Sequence, residues 1–311
     1  MSTVLTMVDI DALVPHDEGI AALAEVPGVR PVRYEPGAVL PEAAATAQVL
    51  VAPFLATTAA VAMTATMPKL RLVQLLTAGA EAWVGRLPDG VALSDCRGAH
   101  GGATAEWVVA TLLAVYRHLP QFARAQAEHR WDYHPTEELA GKRVLIVGAG
   151  DVAEHTVRRL APFDVATTLV GRRARAGVHA AAELPELLPA HDACVVIVPL
   201  TDATRGMVDA AFLAAMPEGA VLVNAARGPV VDTEALTTEL MARRLRAAVD
   251  VTDPEPLPAD HPLWSAPGLL LTPHVGGSVP LAMDRAYRVA AEQIAAFAAG
   301  NTPPNLVEDG Y

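Results

Sequence analysis

Cysteine is nearly missing: the 311 residues hold two, Cys96 and Cys194, far apart and in no C-x-x-C pattern. That argues against a disulfide scaffold and a thiolate metal site, and reads as two small buried hydrophobes in a reducing cytoplasm. No H-E-x-x-H spacing occurs, and His129, His134 and Glu128 read as a solvated face, so no metal is expected. No G-x-S-x-G elbow is present, which leaves a serine hydrolase without support. No apolar run reaches the roughly 18 residues that a membrane span needs. Basic residues are outnumbered, 23 Lys and Arg against 35 Asp and Glu, and the net charge of −12 disfavours nucleic acid and membrane surfaces as partners. An anionic small substrate stays open, because local arginines reverse the local field. The opening MSTVLTMVDIDALVP lacks a basic n-region and a small-residue cleavage site, so residues 4–8 read as a first strand rather than a signal peptide, and a cytoplasmic location is expected.

What is present is apolar residue in quantity, 52%, with alanine and valine prominent, in a length that suits two domains. Residues 1–98 alternate short strands and helices. Strands are expected at 29–34, 49–51, 72–75 and 91–94 besides 4–8. That alternation implies a parallel sheet with helices on both faces. Residues 98–102 read as a glycine-rich hinge, followed by a buried helix at 103–116 and a polar segment. Further strands are expected at 144–147, 165–170, 193–198, 221–224, 247–251 and 269–271. A helix over 233–244 takes Asp232 or Thr233 as its cap. From Ser278 the chain turns helical, with Pro280 in the first turn and Gly300 as the stop. The expected division is 1–98, 99–279 and a C-terminal helix, 280–311, that packs back on the first domain.

Residues 141–173 form the organising stretch: strand, Gly148-Ala149-Gly150, helix over 152–160, strand. Gly148 allows a tight turn, and Gly150 lets the backbone approach a pyrophosphate. The N–H groups at Asp151 and Val152 and the helix dipole then face the anion. The third glycine of G-x-G-x-x-G is Ala153. An ordinary strand-to-helix turn is the competing reading. An NAD site places an acid about 20 residues past the turn for the ribose 2′-hydroxyl. Gly171 stands there, followed by Arg172 and Arg173, which suit a 2′-phosphate and favour NADP, with NAD possible; a basic surface turn is the alternative.

Three segments follow expected strands, where open α/β sheets place ligands. They are Asn224-Ala225-Ala226-Arg227-Gly228, Asp250-Val251-Thr252-Asp253-Pro254-Glu255 and Thr272-Pro273-His274-Val275-Gly276. Taken singly, Arg227 reads as a surface ion-pair partner, Glu255 as a turn residue and His274 as a core histidine. Three at successive strand ends make coincidence harder to sustain.

These motifs, with Trp131, Glu138-Leu139-Ala140-Gly141-Lys142, Val198-Pro199-Leu200-Thr201…Thr204 and His261-Pro262-Leu263-Trp264, resemble the D-isomer-specific 2-hydroxyacid dehydrogenases, the glyoxylate/hydroxypyruvate reductase group among them. The resemblance covers about residues 70–300. It implies two doubly wound parallel-sheet α/β domains, a Rossmann dinucleotide-binding domain and a flavodoxin-like substrate domain, and a homodimer. It implies that Arg227 holds the substrate's carboxylate and carbonyl, that His274 is the acid/base and that Glu255 is its partner. Asp250 falls near the nicotinamide. Pro199, Thr204, Ala225 and Gly276 line the cofactor cleft, and Ala78 and Gly79 form a substrate-carboxylate loop. Phe54, Leu55 and Trp83 are expected to set side-chain specificity.

Those residue types fit the reduction of a 2-keto acid. An imidazolium can protonate the carbonyl oxygen, a nearby carboxylate favours the charged ring, and a planar guanidinium grips a carboxylate better than lysine. The expected activity is hydride transfer between NAD(P)H and a small 2-keto acid or D-2-hydroxy acid. The competing reading is a dinucleotide-binding regulator, corepressor-like, on the same fold.

Overall fold

In chain order the elements of the computed structural model are β1 (Ile10–Val14), α1 (Asp17–Ala24), β2 (Val29–Arg33), β3 (Val49–Val51), α2 (Thr58–Met63), β4 (Leu72–Gln74) and β5 (Ala92–Ser94). Then come α3 (Gly101–Tyr116), α4 (Leu119–Ala127), β6 (Arg143–Val147), α5 (Asp151–Leu160), β7 (Ala166–Gly171), β8 (Val178–Ala180) and α6 (Leu184–Leu187). The rest are β9 (Ala193–Val196), α7 (Ala210–Ala215), β10 (Val221–Asn224), α8 (Thr233–Met241), β11 (Arg246–Val249), β12 (Leu269–Leu271) and α9 (Ala282–Ala298). The structure describes residues 10–54 and 58–307. The chain divides into two units, Met1–His100 with Pro280–Tyr311, and Gly101–Val279.

The first unit carries a five-stranded parallel sheet in the order β2-β1-β3-β4-β5, the flavodoxin-like winding. Its first described strand is β1; the strand expected at residues 4–8 lies outside the described residues. All five residues of β1 are buried, Asp11 included. The Arg30 guanidinium holds that acid with two 2.7 Å bonds and, against the cost of burial, keeps its carboxyl below the usual range. α9 packs on α1 in this unit, with Ala286, Tyr287, Ala290 and Ile294 in the core. The helix starts at Ala282, so Pro280 precedes it and is not in its first turn. Gly300, at φ 77, closes the helix: its N–H donates to the Phe297 carbonyl.

The second unit carries seven parallel strands in the order β12-β11-β10-β9-β6-β7-β8, a Rossmann order lengthened by one strand. Strands β6, β9, β10 and β11 are wholly apolar and buried apart from Arg143, Arg246 and Asn224, as a sheet covered on both faces requires. The winding reverses between β6 and β9, which puts a crevice at their C-terminal ends. Glycines 101 and 102 begin α3, so the expected hinge is partly helix. The polar segment after it contains α4. Asp232 is the cap of α8, accepting from the N–H groups of Glu234 and Ala235. Lys142 and Arg246 each lie 5.0 Å from the ring centre of Tyr116, buried at the end of α3, and both cations bond Glu137 at 2.8 Å.

Candidate active site

The glycine turn follows β6 directly. Gly148 has φ 123, and a Cβ there would meet the Ile197 carbonyl oxygen at 2.8 Å, so β6 and the chain leaving β9 close up only around glycine. Gly150 is the N-cap of α5, and no side chain caps that end. A Cβ on Gly150 would meet nothing within 4 Å. The turn therefore leaves room beside a helix N-terminus, which fits the pyrophosphate of a dinucleotide. Asp151, an awkward acid beside an anion, is turned elsewhere. Its carboxylate occupies the space where Gly101 lacks a Cβ, at the N-terminus of α3, and lies 3.4 Å from His155 Nε2. There its charge favours the α3 dipole. Ala153 is buried against the sheet, so the third glycine is replaced without a gap.

At the end of β7, Gly171 faces Val178, Arg175 and Ala149. Arg172 and Arg173 are exposed. Sequence reasoning missed Arg175, whose Nη2 donates to the Ala149 carbonyl at 2.7 Å and so lies across the glycine turn. The basic run 172–175 was the available signal. After β9, the Thr204 hydroxyl donates to the Pro199 carbonyl at 2.6 Å and accepts from the Thr201 N–H, closing that loop on itself.

Strands β10, β11 and β12 are neighbours in register, Asn224 opposite Val249 opposite Leu271, and their ends carry the remaining candidates. Past β10, buried Asn224 accepts from the Ala226 N–H and donates to the Arg227 carbonyl, shaping the loop. Ala225 donates its N–H to Val196 in β9, and Arg227 is half-buried with Nη1 on the Ala226 carbonyl at 2.7 Å. Gly228 lies so close to the Thr252 carbonyl that no side chain fits, which seats the Arg227 loop on the β11 loop.

Past β11 and β12, His274 Nδ1 is 2.7 Å from Glu255 Oε1, with both side chains partly exposed. His274 holds φ 55, a conformation that costs a non-glycine residue about 1–3 kcal/mol and needs outside support. Asp250 supplies it. Its carbonyl accepts from the His274 N–H at 2.7 Å, and its carboxylate accepts from Thr272 Oγ1, the Val275 N–H and the Gly276 N–H at 2.6, 2.8 and 2.7 Å. Gly276 is required here, since a Cβ would come within 2.9 Å of Asp250 Oδ2. Asp250 thus serves the histidine loop with both oxygens, a task its sequence position did not reveal.

Ala78 and Gly79 lie in the first unit, in the loop after β4, where Thr77 Oγ1 donates to the Gly79 carbonyl at 3.0 Å. Trp83 is buried in that unit's core, Phe54 lies 5.9 Å from the His100 ring, and Leu55 is outside the described residues. His129 and Glu128 are exposed as expected, while His134 is partly covered: it stacks on Phe122 at 4.7 Å and bonds His118 Nδ1 at 3.0 Å. Both cysteines are free and buried, and burial pushes the Cys96 thiol up to about 12. Among the described residues no group of three or more acidic, histidine or cysteine side chains forms a metal site, and no helix is long and apolar enough to cross a membrane.

The fold and the stretch that carries these loops have counterparts in known proteins. The family model described as D-isomer specific 2-hydroxyacid dehydrogenase, NAD binding domain, matches residues 109–276. A glyoxylate reductase of Thermofilum pendens is 34% identical over 231 residues, 70% of this chain and 68% of its own. The D-isomer specific 2-hydroxyacid dehydrogenase of Xanthobacter autotrophicus, solved with NADPH and MES, superposes with a TM-score of 0.84 at 30% identity, over 97% of this chain and 98% of its own. An NADPH-dependent glyoxylate/hydroxypyruvate reductase of Sinorhizobium meliloti, solved with NADP and sulfate, gives 0.81 at 27% identity, over 96% and 97%. Matched across both its coenzyme-type turn and its histidine loop, the chain belongs to the D-isomer specific 2-hydroxyacid dehydrogenase family.

Proposed function

We propose that this protein reduces small 2-keto acids of the glyoxylate or hydroxypyruvate kind to D-2-hydroxy acids, with NADPH preferred over NADH, and acts as a homodimer. The observation that carries the reading is the 2.7 Å contact of His274 with Glu255, one strand away from Arg227. Glu255 orients the ring through Nδ1, which leaves Nε2 to give a proton to the substrate's carbonyl oxygen. Arg227 pairs with the substrate carboxylate and polarises the carbonyl. The nicotinamide of a dinucleotide bound at the glycine turn would supply the hydride. Gly148, Gly150 and the N–H groups of Asp151 and Val152 hold the pyrophosphate. Pro199, Thr204, Ala225 and Gly276 line the coenzyme's cleft. For Ala78 and Gly79 we propose carboxylate binding through backbone N–H groups.

The coenzyme preference rests on Gly171, which offers no carboxylate to a ribose hydroxyl, and on Arg172 and Arg173 beyond it. The S. meliloti and X. autotrophicus relatives were solved with NADP and NADPH, which supports the same choice. The test is oxidation of NADPH and of NADH with glyoxylate, hydroxypyruvate, pyruvate and an aldehyde lacking the carboxylate. The expected result is turnover of the acids, with the higher kcat/KM for NADPH, and little of the aldehyde. Binding of NADPH without turnover of any acid would instead support the regulator reading, and a higher kcat/KM with NADH would show that the arginines point to solvent.

A further inference from the structure

We infer that Trp107, on α3, is a positioning residue for His274, acting through Thr272 and Asp250; this rests on the reading of His274 as the proton donor. Trp107 Nε1 lies 3.0 Å from Thr272 Oγ1, and Thr272 Oγ1 lies 2.6 Å from Asp250 Oδ1. An indole N–H can only donate. Thr272 Oγ1 therefore accepts from Trp107 and turns its own proton onto Asp250. That fixes the direction of the chain: indole to hydroxyl, hydroxyl to carboxylate. The same carboxylate takes the N–H groups of Val275 and Gly276, and the Asp250 carbonyl takes that of His274. Trp107 also borders Gly276 directly, since a Cβ there would lie 3.5 Å from its Cγ. The indole thus braces positions 272 and 276, two residues to either side of the histidine.

The consequence is kinetic. The left-handed backbone at His274 persists because its neighbours hold it. Without the indole donor, the Thr272 hydroxyl is free to rotate away from Asp250, and the loop loses the bond that anchors its first residue. His274 then samples orientations in which Nδ1 is off Glu255. Neither Trp107 nor Thr272 need touch substrate for this to slow proton transfer.

The test uses four variants of the full chain: Trp107→Phe, which keeps a ring without the donor, Thr272→Val, Thr272→Ser and the Trp107→Phe/Thr272→Val double. Two readouts are taken. Hydrogen–deuterium exchange of residues 272–279 is followed without coenzyme, and kcat and KM are measured for keto-acid reduction. Exchange of the Val275 and Gly276 amides is expected to rise about tenfold in Trp107→Phe and Thr272→Val, the size of one lost hydrogen bond. Thr272→Ser is expected to behave like wild type. kcat is expected to fall by a similar factor with KM for the keto acid unchanged, and the double variant to be no worse than Thr272→Val. Unchanged exchange in Trp107→Phe and Thr272→Val overturns the proposal. So does faster exchange with an unchanged kcat, or a double variant whose losses multiply. If the wild type reduces no 2-keto acid yet the loop loosens in the variants as described, the proposed activity fails and the Trp107 brace stands.

Discussion

The glycine turn after β6 and the histidine loop after β12 lie at the ends of strands in one sheet, and they are built on opposite principles. At the turn, space is left open: α5 has no side-chain cap, and Gly150 faces nothing within 4 Å. At the histidine loop, space is used up: Asp250 accepts three bonds on its carboxylate and one on its carbonyl, and Gly276 has no room for a Cβ. A surface meant for a ligand keeps donors and volume in reserve. A surface meant to aim one side chain spends every donor on holding that side chain, because a strained backbone without support relaxes. Under the proposed function the turn serves mainly binding and the histidine loop mainly the aim of one proton donor.

Replacing the aimed side chain breaks the comparison hardest. His274→Ala is expected to cut keto-acid reduction by roughly 10²–10⁴-fold, the usual contribution of a general acid. NADPH affinity, measured by fluorescence titration, is expected to stay near wild type, since the glycine turn proposed to hold the coenzyme is untouched. A parallel loss of coenzyme binding would show that the two loops are not separable.

The open space is tested by filling it. Gly150 has φ −107 and ψ −159, which any residue adopts, and its Cβ would meet no protein atom. Gly150→Ala is therefore expected to leave stability within about 0.5 kcal/mol of wild type by denaturant titration. NADPH affinity is expected to fall about tenfold, roughly 1.4 kcal/mol. Lost stability with intact affinity would mean that the space belongs to the fold and not to a ligand.

Much of this was legible in the sequence, for identifiable reasons. Strands β3, β10 and β12 match their expected bounds because each is a short apolar run between breakers. β1 escaped notice because Asp11 interrupts its run, and only the tertiary pairing with Arg30 makes that acid tolerable inside. β8 is a three-residue edge strand, too short to show a period. α4 has Ala125 as its only fully buried residue, so no apolar stripe announced it. The site residues Arg227, Glu255 and His274 stood out by type and position. The Asp250 network did not, because its partners Trp107 and Thr272 are 165 residues apart and no spacing rule joins them. Asp151 shows the same limit: beside a glycine turn it reads as a misplaced charge, and only the fold reveals the α3 N-terminus that it serves.

The central claim is that His274, held by Glu255, delivers the proton. The most direct measurement is kcat and KM of keto-acid reduction for wild type and Glu255→Gln at one pH. Glutamine keeps the shape and a hydrogen-bonding oxygen but replaces the charge-assisted bond that holds Nδ1 of the ring with a weaker neutral one. The expected result is a kcat lower by about tenfold, with KM for the keto acid unchanged. An unchanged kcat would remove Glu255 from the mechanism and contradict the account.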